Sequence, residues 1–96
     1  MKQPCVYVLA SKRNGTLYVG VTNDIARRSW EHRMGAVAGF SRRYRVHRLV
    51  YAEFNDTMPD AIQRERQIKK WNRAWKLELI ERANPDWRDL YEDLAR

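Results

Sequence analysis

Arg28 and His32 stand four residues apart, so a helix through them projects both side chains from one face. A guanidinium can grip a phosphate or a transition-state charge through two donors, and an imidazole can move a proton near neutral pH. Glu65 falls with Ala61 and Ile68 at i, i+4 and i+7, where its carboxylate interrupts an otherwise apolar helical stripe. Tyr7 and Tyr18 sit in the middle of two short β-rich runs and, as cross-strand neighbours, would turn their hydroxyls to one side of a sheet. Such a pair can position or deprotonate a water, but a phenol with a pKa of about 10 needs a nearby cation or metal to do so at neutral pH. Each residue taken alone also has an ordinary explanation. Glu65 could be the i, i+4 partner of Lys69, a contact of about 0.2 to 0.5 kcal/mol; the arginines could be a solvated helix face and the tyrosines core aromatics.

The elements that would position these groups can be read from local signals. Cys5 to Ala10 and Thr16 to Val21 form a hairpin whose loop contains the turn dipeptide Asn14-Gly15. Thr22-Asn23-Asp24 offers N-caps for a helix over 24–34 that stops at Gly35. Residues 35–45 lack a period and read as a basic loop able to lie along a phosphate backbone. Val46 to Phe54 reads as a third strand. Thr57, Pro59 and Asp60 mark the start of a helix to about Trp71, a second helix covers Arg73 to Ala83, and Asn84-Pro85 breaks it. Asp86 to Leu94 closes the chain as a short turn or helix with Trp87, Leu90 and Tyr91 facing inward. The expected fold is α+β, in the order β-β-α-β-α-α: a small three-stranded mixed sheet flanked by helices, in one domain over residues 1–96.

Charge narrows the class of partner. The 96 residues carry a net charge of +7, placed unevenly. Asp24 to Arg48 holds seven Arg against two acids, Arg64 to Lys76 holds six basic residues against Glu65, and residues 77–96 hold six acids against three bases. Two basic segments attract polyanions, nucleic acid first and anionic membrane second. One cysteine, Cys5, excludes an internal disulfide and a Cys-rich zinc cluster. No apolar run approaches the roughly 18 residues of a membrane span, and no signal peptide is evident, so a soluble protein of the reducing cytoplasm is expected.

Taken in order, Cys5-Val6-Tyr7, Tyr18-Val19-Gly20, Arg28 with His32, and Ala61 with Glu65 before Ile68-Lys69 resemble the GIY-YIG nuclease superfamily over most of the chain. Within it the chain is similar to the small stand-alone bacterial GIY-YIG proteins, which Ile68-Lys69-Lys70-Trp71 and Asn84-Pro85-Asp86-Trp87 also resemble. The resemblance implies a metal-dependent endonuclease acting on DNA phosphodiesters, structure-specific in repair or recombination. Glu65 would hold one divalent ion, Mg²⁺ or Mn²⁺, through a single carboxylate. Tyr7, helped by Tyr18 or His32, would activate the attacking water, and Arg28 would stabilise charge on the phosphate. Gly20 would allow close packing where the strand turns toward the helix. Arg27, Arg42, Arg43, Lys69 and Lys70 are the expected contacts to substrate. The pattern departs from the family name in Cys5, Val6 and Val19. The asparagine found late in many members has two candidates, Asn84 and Asn72. Two rivals stand beside the nuclease: a non-catalytic nucleic-acid-binding module of the same fold, and a protein-docking domain using Trp87 to Tyr91.

Overall fold

The computed structural model describes residues 2–35, 39 and 44–95. Among the described residues three strands and four helices follow in the order β1 (Cys5–Ala10), β2 (Leu17–Thr22), α1 (Ile25–Arg33), β3 (Arg48–Phe54), α2 (Met58–Lys70), α3 (Arg73–Ala83) and α4 (Tyr91–Ala95). This is the expected α+β succession with the last turn now helical.

The sheet order is β2-β1-β3, and both neighbouring pairs are antiparallel. The expected mixed sheet is thereby corrected. The crossover through α1 passes over β1, so β2 and β3 run parallel to each other but never touch. β1, flanked on both edges, is buried at all six positions. Its alternation divides the core in two. Val6, Val8 and Ala10 pack with Ala61, Ile68, Ile80 and Trp87 beneath α2 and α3. Cys5, Tyr7 and Leu9 face the other way, with Ile25, Leu49, Leu90 and Leu94 under α1 and α4. Burial pushes the Cys5 thiol up to about 11, so it behaves as a small apolar core group.

Local chemistry fixes the helix ends as the sequence suggests. Asp24 caps α1 through the Arg27 amide, Thr57 caps α2 through the Asp60 amide, and Asn72 caps α3 through the Trp75 amide. Asn14 takes a positive φ of 58° in the hairpin loop. The third strand starts at Arg48 rather than Val46, and a register shift opposite Val8 and Leu9 turns Leu49 to one face and Val50 with Tyr51 to the other.

The C-terminal segment closes the β3 edge. Asn84 Nδ2 donates to the Val50 carbonyl at 3.1 Å, the Leu90 amide donates to the Leu49 carbonyl at 2.8 Å, and Asp89 Oδ1 accepts from the Leu49 and Tyr91 amides. Asp89 Oδ2 also meets the Arg33 guanidinium, which tethers α1 to the same point. Trp87 is fully buried, which makes it core rather than a docking surface. Replacing Asp89 with Ala strips two backbone donors and a cation of one acceptor; a destabilisation of about 2 to 3 kcal/mol is expected in urea unfolding, and a change below about 0.5 kcal/mol would show that the clamp carries no stability.

Candidate active site

The floor of the site is a close approach that only glycine permits. Tyr7 lies directly across from Gly20 in the β1–β2 register. A Cβ built on Gly20 would come within 2.5 Å of the Tyr7 Cζ and hydroxyl and 3.0 Å of the Tyr18 ring. Gly20 therefore makes room for the Tyr7 ring to lie flat across β2, a more specific reason than a general tightening of the strand. Tyr18 pairs with Leu9, one step along, so the two phenols are diagonal neighbours on one face rather than direct opposites. Their ring centroids are 6.2 Å apart.

Helix α1 lays His32 onto this pair. The imidazole is buried, with its ring 5.3 Å from Tyr18 and 5.9 Å from Tyr7, and its Nε2 is 3.1 Å from the Tyr7 hydroxyl. Burial lowers the His32 pKa below its ordinary 6.5, and the nearby Arg28 charge lowers it further against a smaller opposing effect of Glu31. The ring is thus neutral at neutral pH, with one nitrogen able to accept. Burial drives the Tyr7 phenol well above its ordinary value, and Tyr18 adds to this while Arg28 opposes it. At neutral pH the pair is a phenol bonded to a neutral imidazole, the arrangement with the smaller desolvation cost.

Arg28 borders the cluster and also lines a polar concavity of about 250 Å³ with Lys2, Thr22, Asn23, Asp24, Arg27 and Glu31. Glu31 stands 3.8 Å from Arg28 and 3.9 Å from Arg27, loose contacts that steer the guanidinium without using it up. The sequence reading missed Glu31, although its i+3 and i+4 spacing from the two arginines is the usual signal for such a pair.

Glu65 comes from the other layer. Its helix, α2, covers the opposite sheet face and packs against β1 and β2. The carboxylate is 14 % exposed and meets Lys69 at 3.2 Å, so the i, i+4 pair foreseen as its ordinary explanation is present. Lys69 and Lys76 line a groove with Leu17, Tyr18 and Val19, where residues from both sheet faces meet. Lys76 was also missed, because the break at Trp71 and Asn72 hides its relation to Lys69. Lys70 and Arg27 are exposed; Arg42 and Arg43 lie outside the described residues. Among the described residues no group of three or more His, Cys, Asp and Glu could hold a metal together. Both late asparagines are engaged with backbone: Asn72 caps α3, and Asn84 bonds Val50, Arg88 and their segment.

The Gly20 contact makes a direct prediction. Gly20→Ala should cost about 1 to 3 kcal/mol by overpacking and should displace the Tyr7 ring, visible as a change in the Tyr7 and His32 NMR shifts. Unchanged shifts would mean that the ring does not need the space.

Residues 3–78 match the family described as the GIY-YIG catalytic domain. A UPF0213 protein of Staphylococcus saprophyticus is 38% identical over 80 residues, which cover 83% of this chain and 96% of that one. A UPF0213 protein of Syntrophus aciditrophicus is 39% identical over 87 residues, covering 90% and 98% of the two chains. The solution NMR structure of a UPF0213 protein from Bacillus halodurans is similar with a TM-score of 0.57 and 26% identity, across 94% of this chain and 95% of that one. Family match, relatives and architecture agree, and the chain belongs to the GIY-YIG catalytic domain family.

Proposed function

We infer that the protein is a metal-dependent endonuclease that hydrolyses DNA phosphodiester bonds, with a branched or damaged structure rather than a long sequence as its target. The observation that carries this reading is the buried Tyr7 hydroxyl held 3.1 Å from a neutral His32 Nε2 beside Arg28. As water attacks phosphorus, its proton passes to the Tyr7 oxygen while the Tyr7 proton passes to His32, so the phenolate is never left alone in a buried place. His32 is then the group that takes the Tyr7 proton, while Tyr18 hydrogen-bonds the same phenol. Arg28, half-exposed and loosely paired, offers donors to the non-bridging oxygens as they gain charge. Arg27, Lys69 and Lys70 hold the flanking phosphates, each a solvated charge that contributes through counterion release.

Glu65 suits a divalent ion: it is one largely buried carboxylate whose described partner is a flexible lysine that can swing away. Bound there, Mg²⁺ or Mn²⁺ would supply Lewis acidity and stabilise the leaving oxygen. The basic segments and the absence, among the described residues, of any helix long and apolar enough to cross a membrane support nucleic acid as the partner.

Purified protein should nick labelled flap, junction or duplex DNA with Mn²⁺ or Mg²⁺, and Glu65→Ala should reduce nicking to background while losing no more than about 0.5 kcal/mol of stability from its pair with Lys69. Nicking that survives in this variant would assign it to a contaminant. Tyr7→Phe should slow cleavage by about 10² to 10⁴, the usual contribution of general-base catalysis.

The pH dependence follows from the lowered His32 pKa. Its neutral form is the acceptor, so cleavage should fall on the acid side with a midpoint below the ordinary value of 6.5. The stability linked to this group has the same sign: it is present above the unfolded value and is lost as pH falls through the folded pKa, because the unfolded chain binds the proton more readily. His32→Gln should remove that limb from the rate profile; an identical limb in the variant would place the titrating group elsewhere.

A further inference from the structure

The corner between α2 and α3 carries two tryptophans that stand in contrast to the buried Trp87. Trp71 and Trp75 meet edge to face, with ring centroids 6.1 Å apart and planes at 81°. Trp71 packs against the core and is braced by the Arg64 guanidinium, 5.2 Å from its ring, which Glu53 holds through both oxygens. Trp75 is 56 % exposed. It is the third residue of α3, where its amide is capped by Asn72 and where a helix ordinarily carries a small polar or acidic side chain. An indole with more than half its surface in water, set against a second indole, makes a contiguous exposed apolar patch of the kind that marks a contact site.

The two indoles, with Glu78, Leu79 and Arg82, enclose a groove of about 250 Å³. That is smaller than the roughly 300 to 1,000 Å³ of a pocket for a drug-sized ligand, and suits one flat ring system. Glu78 and Arg82, paired at 2.9 Å, put an acceptor and donors at its rim. The surrounding charge is positive: Lys69, Lys70, Arg73 and Lys76 lie in a stretch, residues 66–77, that contains no acid. Flat, hydrogen-bonding at the edge and attached to negative charge describes a nucleobase on its phosphate backbone. Lys76, next to Trp75 in the chain, lines the separate groove at Tyr18 together with Lys69, so basic side chains on these two helices lie between the one groove and the other in sequence.

We propose that the Trp71–Trp75 groove stacks one unpaired nucleobase, and that the substrates are nucleic acids with a single-stranded nucleotide beside the bond to be cut, such as an overhang, flap or bulge. This rests on the nuclease reading above for the path from Tyr18 across Lys69 and Lys76. A base within a continuous duplex is already stacked on both faces and must be extracted before it can reach Trp75, whereas an unpaired base is available. Because every base has a π-face, the groove selects for single-strandedness and tolerates any sequence.

The test reads binding in EDTA, where no metal supports cleavage. Fluorescence anisotropy of a labelled short single strand, an overhang duplex and a blunt duplex is compared for wild type, Trp75→Phe and Trp75→Leu. Leucine keeps an apolar contact with Trp71 and removes the aromatic face. Trp75→Leu should weaken single-strand and overhang binding by roughly 5- to 150-fold, the affinity equivalent of one stacked base, and leave blunt-duplex binding unchanged, while Trp75→Phe keeps most of the affinity. Equal losses on all three ligands, no loss on any, or a wild type that binds no unpaired strand would overturn the proposal, the last leaving the groove to a protein ligand. Nicking dependent on Glu65 together with a silent Trp75→Leu removes the stacking site alone; Trp75-dependent binding without nicking in any metal removes the nuclease reading alone.

Discussion

A hydroxyl in the middle of a strand that solvent does not reach must find its partner inside the protein. β1 is such a strand, and Tyr7 is 2 % exposed within it. Left unpaired, its hydroxyl would cost about 1 to 3 kcal/mol, a large share of a small domain's stability. His32 meets the requirement, and to do so α1 must lie across the sheet at a fixed depth, which the Asp24 cap and the buried Ile25 help to set. The same burial keeps the imidazole neutral and the phenol protonated. The contact that folding demands is therefore also the contact that proton transfer would use.

The other boundary of the fold is β3, an edge strand whose free amides and carbonyls would otherwise offer a template for another chain. Asn84, Asp89 and Leu90 cover Leu49 and Val50 at that edge. The Trp87 backbone at φ 56° is held there by its burial and by Arg48, which donates to its carbonyl at 3.1 Å. The family match ends at residue 78, yet the sheet is completed by residues beyond it. Asn84 belongs to this closure, which accounts for its burial.

Elements governed by nearest neighbours were legible in the sequence. Asn14-Gly15 gave the hairpin, while Asp24 and Thr57 gave helix starts to within a residue of those observed. The core face of α2 followed from the spacing of Ala61 and Ile68. What could not be read depends on pairing between distant segments. The antiparallel β1–β3 pair comes from the crossover passing over β1, and the register shift at Val50 has no local signature. The purpose of Gly20 was hidden for the same reason, since only the register places Tyr7 opposite it. The candidate residues Tyr7, Tyr18, Arg28 and His32 were chosen by type and order; the fold brings Tyr7, Tyr18 and His32 into contact and leaves the Arg28 charge near enough to act on Tyr7 and His32. That Glu65 approaches from the far layer is a property of where α2 crosses β2, which no spacing within the helix encodes.

Residue type alone does not mark a site, and the protein contains its own counterexample. Glu53 and Tyr51 of β3 and Arg64 of α2 bring together a carboxylate, a phenol and a guanidinium. Tyr51 donates to Glu53 at 2.7 Å, and Arg64 reaches both carboxylate oxygens at 2.9 and 3.2 Å. Burial, reinforced by Glu53, pushes the Tyr51 phenol up to about 12, and the bond to Glu53 raises the Arg64 pKa. The three groups are turned onto one another and onto the Trp71 ring, so the trio reads as a brace for that ring. Arg28, by contrast, stands 3.8 Å from Glu31, and the described partner of Glu65 is a flexible lysine that can swing aside. A three-stranded sheet is too narrow to wall a pocket on one face, so groups with bonding capacity to spare must gather where layers meet at an edge. Beside β2 the two layers do meet, and there Tyr18 from one sheet face and Lys69 and Lys76 from the helices over the other line a common groove.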